Sequence, residues 1–161
     1  SCIKILPHLR LLLKIKEALF SQCEAFVNKR LHTIETIISS NQKGLHSETK
    51  SSAGDKHETG RAMLQLEMEK AGQQLAGVIQ MKATLAKINI SKTTQYIHLG
   101  SLIYTEKDNY FLSISAGQFI VEKENYFAIS VSSPIGKLLL GKQVNELISF
   151  RGNTIKVLKI I

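Results

Sequence analysis

The sequence predicts an α+β protein: an N-terminal antiparallel coiled-coil hairpin, then a small antiparallel β domain with one short helix. Three observations predict it. Apolar residues recur at spacings of three and four through the first half. The period changes to about two after Ile90. Six short strand-like runs follow, separated by turn residues.

The first helix takes its apolar face from Phe20, Cys23, Val27, Leu31, Ile34 and Ile38. It starts at the N-terminus. The run Leu11-Leu12-Leu13 is interrupted by Lys14 and Lys16, and no small-residue cleavage site follows it, so it reads as helix rather than signal peptide. Asn41 to Gly54 is rich in Ser, Thr, Gly and Lys, and a turn is expected there. The second helix has the cleaner seam: Leu64, Met68, Ala71, Leu75, Val78, Lys82 and Leu85 alternate four and three. Lys82 is the polar member, its stem suited to lie along the seam with the ammonium in water. Met63, Met68 and Met81 read as seam or flank packing. Residues 1–90 thus form a hairpin whose arms reach roughly 50 Å.

The strand runs are 96–104, 110–115, 118–121, 126–131, 147–150 and 154–161. Asp108-Asn109 and Arg151-Gly152-Asn153 read as hairpin turns. Glu106-Lys107-Asp108-Asn109-Tyr110-Phe111 is echoed by Glu122-Lys123-Glu124-Asn125-Tyr126-Phe127, which suggests two hairpins with similar turn chemistry. A short helix interrupts the strands: Ser133 caps it, Pro134 takes its first position and Gly141 closes it. Residues 91–161 form this second domain.

Composition narrows the function. The net charge of +8 is diffuse and favours an anionic partner such as nucleic acid. No arginine-rich run or stacked-aromatic platform accompanies it. Cys2 and Cys23 lack metal-ligand spacing and read as two reduced thiols of a cytoplasmic protein. The five histidines form neither HxxxH nor HExxH, which argues against a zinc site. No apolar run is long enough to span a bilayer.

The residues with the most chemical content are Gly54-Asp55-Lys56-His57-Glu58, at the bend of the hairpin. Two carboxylates on the tip of a narrow probe suit delivery of negative charge into a deep site on another molecule. Asp55-x-x-Glu58 also reads as a capping box. The two roles are compatible, because a helix N-terminus favours ionised carboxylates. Lys50, Lys56, Arg61 and Lys70 lie on or near the tip and suit contact with RNA or a solvated face equally well.

These motifs resemble those of the Gre transcript-cleavage factors of bacterial RNA polymerase. The family's tip carries Gly-Asp-x-x-Glu, matched by Gly54, Asp55 and Glu58. Its C-terminal domain carries a Gly-Ser-x-Val step, an Ile-Ser and a Ser-Pro-Leu-Gly-x-x-Leu-Leu-Gly-Lys helix. Gly100-Ser101-Leu102-Ile103, Ile129-Ser130 and Ser133 to Lys142 are similar. After the glutamate the family continues Asn-Ala-Glu-Tyr, where this chain has Thr59-Gly60-Arg61-Ala62.

The resemblance implies an FKBP-like fold for residues 91–161, docking on RNA polymerase through Ser133, Pro134, Ile135, Gly136 and Lys137. It implies that the coiled coil enters the polymerase's secondary channel and stimulates cleavage of backtracked RNA. Asp55 and Glu58 would then be the catalytic pair, holding a magnesium ion shared with polymerase near the RNA 3′ end. The chain would stimulate the polymerase's own nuclease rather than be an enzyme alone. The alternative is a Gre-like channel regulator that does not stimulate cleavage. Peptidyl-prolyl isomerase activity is disfavoured, because no aromatic-lined pocket is evident and Trp is absent.

Overall fold

A computed structural model describes the backbone of residues 2–50 and 54–161, and the side chains of residues 7–47 and 58–161. The protein is α+β, with two long helices followed by a six-stranded sheet and a short helix. Helix α1 spans Cys2–Lys50 and α2 spans Gly54–Ala86. The chain forms two compact units: Phe26–Lys82, and Ser1–Ala25 together with Ala83–Ile161.

In the first unit the two helices run antiparallel. A Cβ placed on Gly44 would stand 3.2 Å from Leu64, while Ile34 and Ile37 share a groove with Gln74. The partner's number falls as the residue number rises, as an antiparallel pair requires. Val27, Ile34 and Asn41 are buried at intervals of seven on α1. Ala71 and Val78 repeat the interval on α2. This is the heptad seam. Lys82 is exposed, and Met68 and Met81 are half-buried, whereas Met63 is exposed.

Of the turn expected over Asn41–Gly54, residues 41–50 and Gly54 are helical, and residues 51–53 lie outside the described residues. Helix α1 continues through Asn41 to Lys50, because Asn41 and Gly44 occupy seam positions that their polarity and size disguise. Gly44 lets the Leu64 side chain approach closely, where an added Cβ would press on it at 3.2 Å. Asn41 is buried, and its Nδ2 has no hydrogen-bond partner among the described residues. A buried seam asparagine costs stability and fixes register.

The sheet comprises β1 (Leu102–Thr105), β2 (Asn109–Ser113), β3 (Gly117–Val121), β4 (Glu124–Ser130), β5 (Leu147–Phe150) and β6 (Asn153–Ile160). Their order is β3-β4-β2-β1-β6-β5. All neighbours pair antiparallel except β2 and β4. Helix α3 (Pro134–Leu139) follows β4. The first strand starts six residues later than its sequence pattern suggests. Residues 96–98 instead bond to the loop after α3, through Ile97 N to Lys142 O at 2.9 Å and Gly141 N to Ile97 O at 2.8 Å.

Both faces of the sheet are covered. On one, Ile103, Leu112, Ile148, Ile155 and Val157 pack with Ile135 and Leu139 of α3. The other carries Leu102, Phe111, Ser113, Tyr126 and Ala128, all buried. The N-terminal part of α1 lies against it. Its stripe of Leu12, Ile15, Lys16, Leu19 and Cys23 is buried. Lys16 Nζ donates to Ile161 O at 3.1 Å, and Cys23 Sγ lies 3.6 Å from Ser113 Oγ. The first half of α1 is thus a structural part of the sheet unit.

Candidate functional site

The tip begins where α2 begins. Gly54 is the first residue of that helix, position 55 stands in its first turn and position 58 one turn further on. Residues three apart in a helix share a face. The side chains of Lys50, Asp55, Lys56 and His57 lie outside the described residues, while Glu58, Arg61 and Lys70 are exposed. Two carboxylates offer hard oxygen donors of the kind magnesium takes. Among the described residues no group of three or more His, Cys, Asp or Glu is arranged to hold a metal ion.

The second motif folds for reasons internal to it. Ser133 Oγ donates to Ser130 O at 2.6 Å and accepts from Gly136 N at 3.1 Å. Pro134 then opens α3 with its ring-fixed φ and no wasted donor. Gly136 is demanded by space: a Cβ there would lie 2.0 Å from Ser130 O. The helix is laid so tightly on the end of β4 that only glycine fits. Leu140 N closes the turn on Gly136 O, and Gly141 follows with φ +83°. Of the five residues assigned to docking, Pro134 and Lys137 are exposed, Ser133 is half-buried, and Ile135 and Gly136 are buried. Pro134 and Lys137 therefore offer the accessible surface, and the other three shape it. The tip and α3 belong to different compact units.

The echoed sequence produces a feature that composition did not reveal. Its two turns stand side by side because β2 and β4 pair in parallel, Tyr110 opposite Phe127. Asn109 Nδ2 donates to Asn125 O at 3.4 Å across them. A polar cleft of about 600 Å³ results, with Lys107, Asp108, Lys123, Glu124 and Lys159 in its lining. The turns themselves differ, contrary to the similar chemistry the echo suggests. Thr105 organises the first, its hydroxyl donating to Asp108 O and accepting from the amides of Lys107 and Asp108. Glu122 and Lys123 form the second with φ of +52° and +65°. Positive φ at both central residues is the geometry of a type I′ hairpin, normally built with Asn and Gly.

The pairing is offset by one residue from the echo, so equivalent residues face opposite sides. Tyr110 joins the core under α3. Tyr126 lies on the other face, where its ring meets Tyr104 edge-on with centroids 6.0 Å apart. The hydroxyls are 3.1 Å apart, and burial pushes both phenols above the usual range. Lys159 Nζ sits over the Tyr104 ring and 3.3 Å from His8 Nε2.

A buried polar cluster lies where α1 meets the start of the sheet. Lys16 is fully buried, and desolvation brings its ammonium down to about 8. Its Nζ donates to Ile161 O and to Lys92 O. His98 lies nearby. Burial lowers its pKa first, Lys16 and Lys92 lower it further, and only the Tyr96 carbonyl opposes them. The Nδ1 atom is 2.9 Å from both Ser101 Oγ and Thr94 Oγ1, and Nε2 is buried with no hydrogen-bond partner among the described residues. Ser101 is itself fully buried, so this serine–histidine pair braces the entry to β1 instead of meeting a substrate. Spacing held a signal for Lys16, since Leu12, Lys16, Leu19 and Cys23 follow one 4-3-4 seam.

No protein-family model matches the chain, and no curated protein matches it significantly. No described helix is long and apolar enough to cross a membrane.

Proposed function

We propose that the protein is a Gre-type transcription elongation factor. Its hairpin enters the secondary channel of RNA polymerase and brings Asp55 and Glu58 to the catalytic centre, where they help cut backtracked RNA. The observation that carries this reading is positional. The acidic pair falls in the first turns of α2, beside the connection from α1, at the far end of a two-helix seam. The motif resemblance over Ser133–Lys142 supports it independently, since α3 forms with the cap, proline and glycine that the motif supplies.

Chemistry limits what the tip does alone. Magnesium takes about six oxygen ligands in octahedral geometry, and two side chains leave most positions unfilled. The remaining ligands would come from polymerase and water, so the protein would stimulate another molecule's reaction. In phosphoryl transfer an ion held by Asp55 and Glu58 would stabilise attacking and leaving oxygens. The α3 surface around Pro134 and Lys137 makes the docking contact.

The test separates charge from capping. Asp55→Asn and Glu58→Gln keep side-chain size and a hydrogen-bonding carbonyl in the first turns of α2 and remove charge. With stalled elongation complexes, the parent should stimulate transcript cleavage, and each variant should lose at least about tenfold of that stimulation while still competing for polymerase. Full stimulation by both variants would reduce the acids to caps. A second reading is favoured by Thr59-Gly60-Arg61-Ala62, which departs from the Gre continuation: the protein occupies the channel as a regulator. A parent that binds polymerase and stimulates no cleavage selects that reading.

A further inference from the structure

Helix α1 carries a second stripe beside the hairpin seam. Phe26, Arg30, Thr33 and Ile37 recur at four, three and four residues, so they lie in one row. The row forms one wall of a groove of about 370 Å³, and Gln74 of α2 lines the opposite side. Its floor is apolar: Phe26 is half-buried, Ile34 buried, and Ile37 keeps 38% of its surface open. Lys29 and Arg30 line the groove too, and both are exposed. The Arg30 guanidinium rests 5.4 Å from the centre of the Phe26 ring, which fixes its place at the rim. No carboxylate lines the groove. Neither cation has an ion-pair partner among the described residues.

We propose that this groove seats an acidic amphipathic helix of a protein partner. An apolar floor under two cations asks for a ligand with apolar side chains on one face and carboxylates beside them. A groove between two antiparallel helices accepts a third helix lying along it, as in a helical bundle. A row at i, i+4, i+7 and i+11 presents the matching ridge. Nucleic acid fits less well. A phosphate backbone has nothing to fill the floor, and the Phe26 face that a base would need is covered by Arg30. A second copy of this chain brings its own Lys29 and Arg30 and a net charge of +8, so like charges would meet. The inference is independent of the proposed activity at the tip, since it involves neither Asp55 nor Glu58.

The test uses the full chain and two designed amphipathic helices with the same leucine face, one flanked by glutamates and one by lysines. Fluorescence anisotropy should show saturable binding of the glutamate helix, weakening as salt rises. The double variant Lys29→Glu/Arg30→Glu should bind it at least about tenfold more weakly and gain affinity for the lysine helix. Ile37→Glu should reduce binding of the glutamate helix. Should the charge reversal disturb the hairpin by circular dichroism, Gln74→Glu serves instead, adding a carboxylate from the α2 wall with the same expected loss. Absence of glutamate-helix binding, or equal binding of both helices, overturns the proposal. So does displacement of the bound helix by single-stranded RNA, or concentration-dependent self-association in sedimentation that Ile37→Glu abolishes.

Discussion

Gly136 and Lys16 show how much a single position contributes here, in opposite directions. At Gly136 the obstacle is backbone: an added Cβ would meet the Ser130 carbonyl oxygen, which no rotamer can move aside. Gly136→Ala should therefore cost on the order of 3 kcal/mol in chemical denaturation. Gly141→Ala, in open space at φ +83°, should cost about 1 kcal/mol from conformation alone. Equal losses would mean that α3 is not pressed on β4. Lys16 makes a pH-dependent case. Its folded pKa of about 8 lies below the unfolded 10.5, so between those values the unfolded chain holds the proton that the folded chain has lost. Stability then rises with pH across that window, and the penalty is full below it. Lys16→Met should accordingly melt higher than the parent at pH 7, with the gap shrinking on the order of 2 kcal/mol by pH 10. The Cys23 thiol, pushed up to about 11 by burial, acts in the opposite sense above pH 9. It is present in both proteins and cancels in the comparison. A gap that stays constant with pH would show that Lys16 is solvated.

At the scale of elements, period and punctuation were legible and register was not. The six strands, α3 with its cap, and both long helices follow from apolar spacing and from Ser, Pro and Gly at element ends. Helix α1 was underestimated between Asn41 and Lys50 because its seam there uses Asn41 and Gly44, which a hydrophobicity pattern does not count. The parallel pairing of β2 with β4 was illegible for a different reason. Only long-range packing selects a register, and the echo suggests two similar hairpins without saying that their strands pair. Of the candidate site, the sequence placed the acids at the start of a helix but could not distinguish exposed Pro134 and Lys137 from buried Ile135 and Gly136. The seam assignment is testable. Ile34→Ala, at a buried seam position, should destabilise the hairpin by about 2–4 kcal/mol. Ile37→Ala, in the open groove, should stay within about 0.5 kcal/mol of the parent. Thermal circular dichroism of the two proteins compares them directly, and similar losses would mean that the groove is closed in solution.

For the whole molecule, the decisive fact is that the sheet unit is assembled from two distant parts of the sequence. Residues 91–161 supply every strand, yet Leu12, Ile15, Leu19 and Cys23 belong to the cover of one face. A fragment of residues 91–161 would expose Leu102, Phe111 and Ala128 on that face. It should give poorly dispersed amide NMR spectra and bind hydrophobic dyes, and fusing residues 1–25 to it through a flexible linker should restore dispersion. A well-dispersed spectrum from the fragment alone would show the α1 cover to be dispensable. The same discontinuity bears on biosynthesis. Lys16 leaves the ribosome well before Ile161, whose carbonyl it meets and which lies 145 residues later. At translation rates of about 5–20 residues per second, the interval is about 7–30 s. Until β1 starts at Leu102, 86 residues after Lys16 and about 4–17 s at those rates, the apolar stripe of α1 has no strand to rest on. Each nascent chain thus spends many seconds as a sticky amphipathic helix, and holding it then is work for a chaperone.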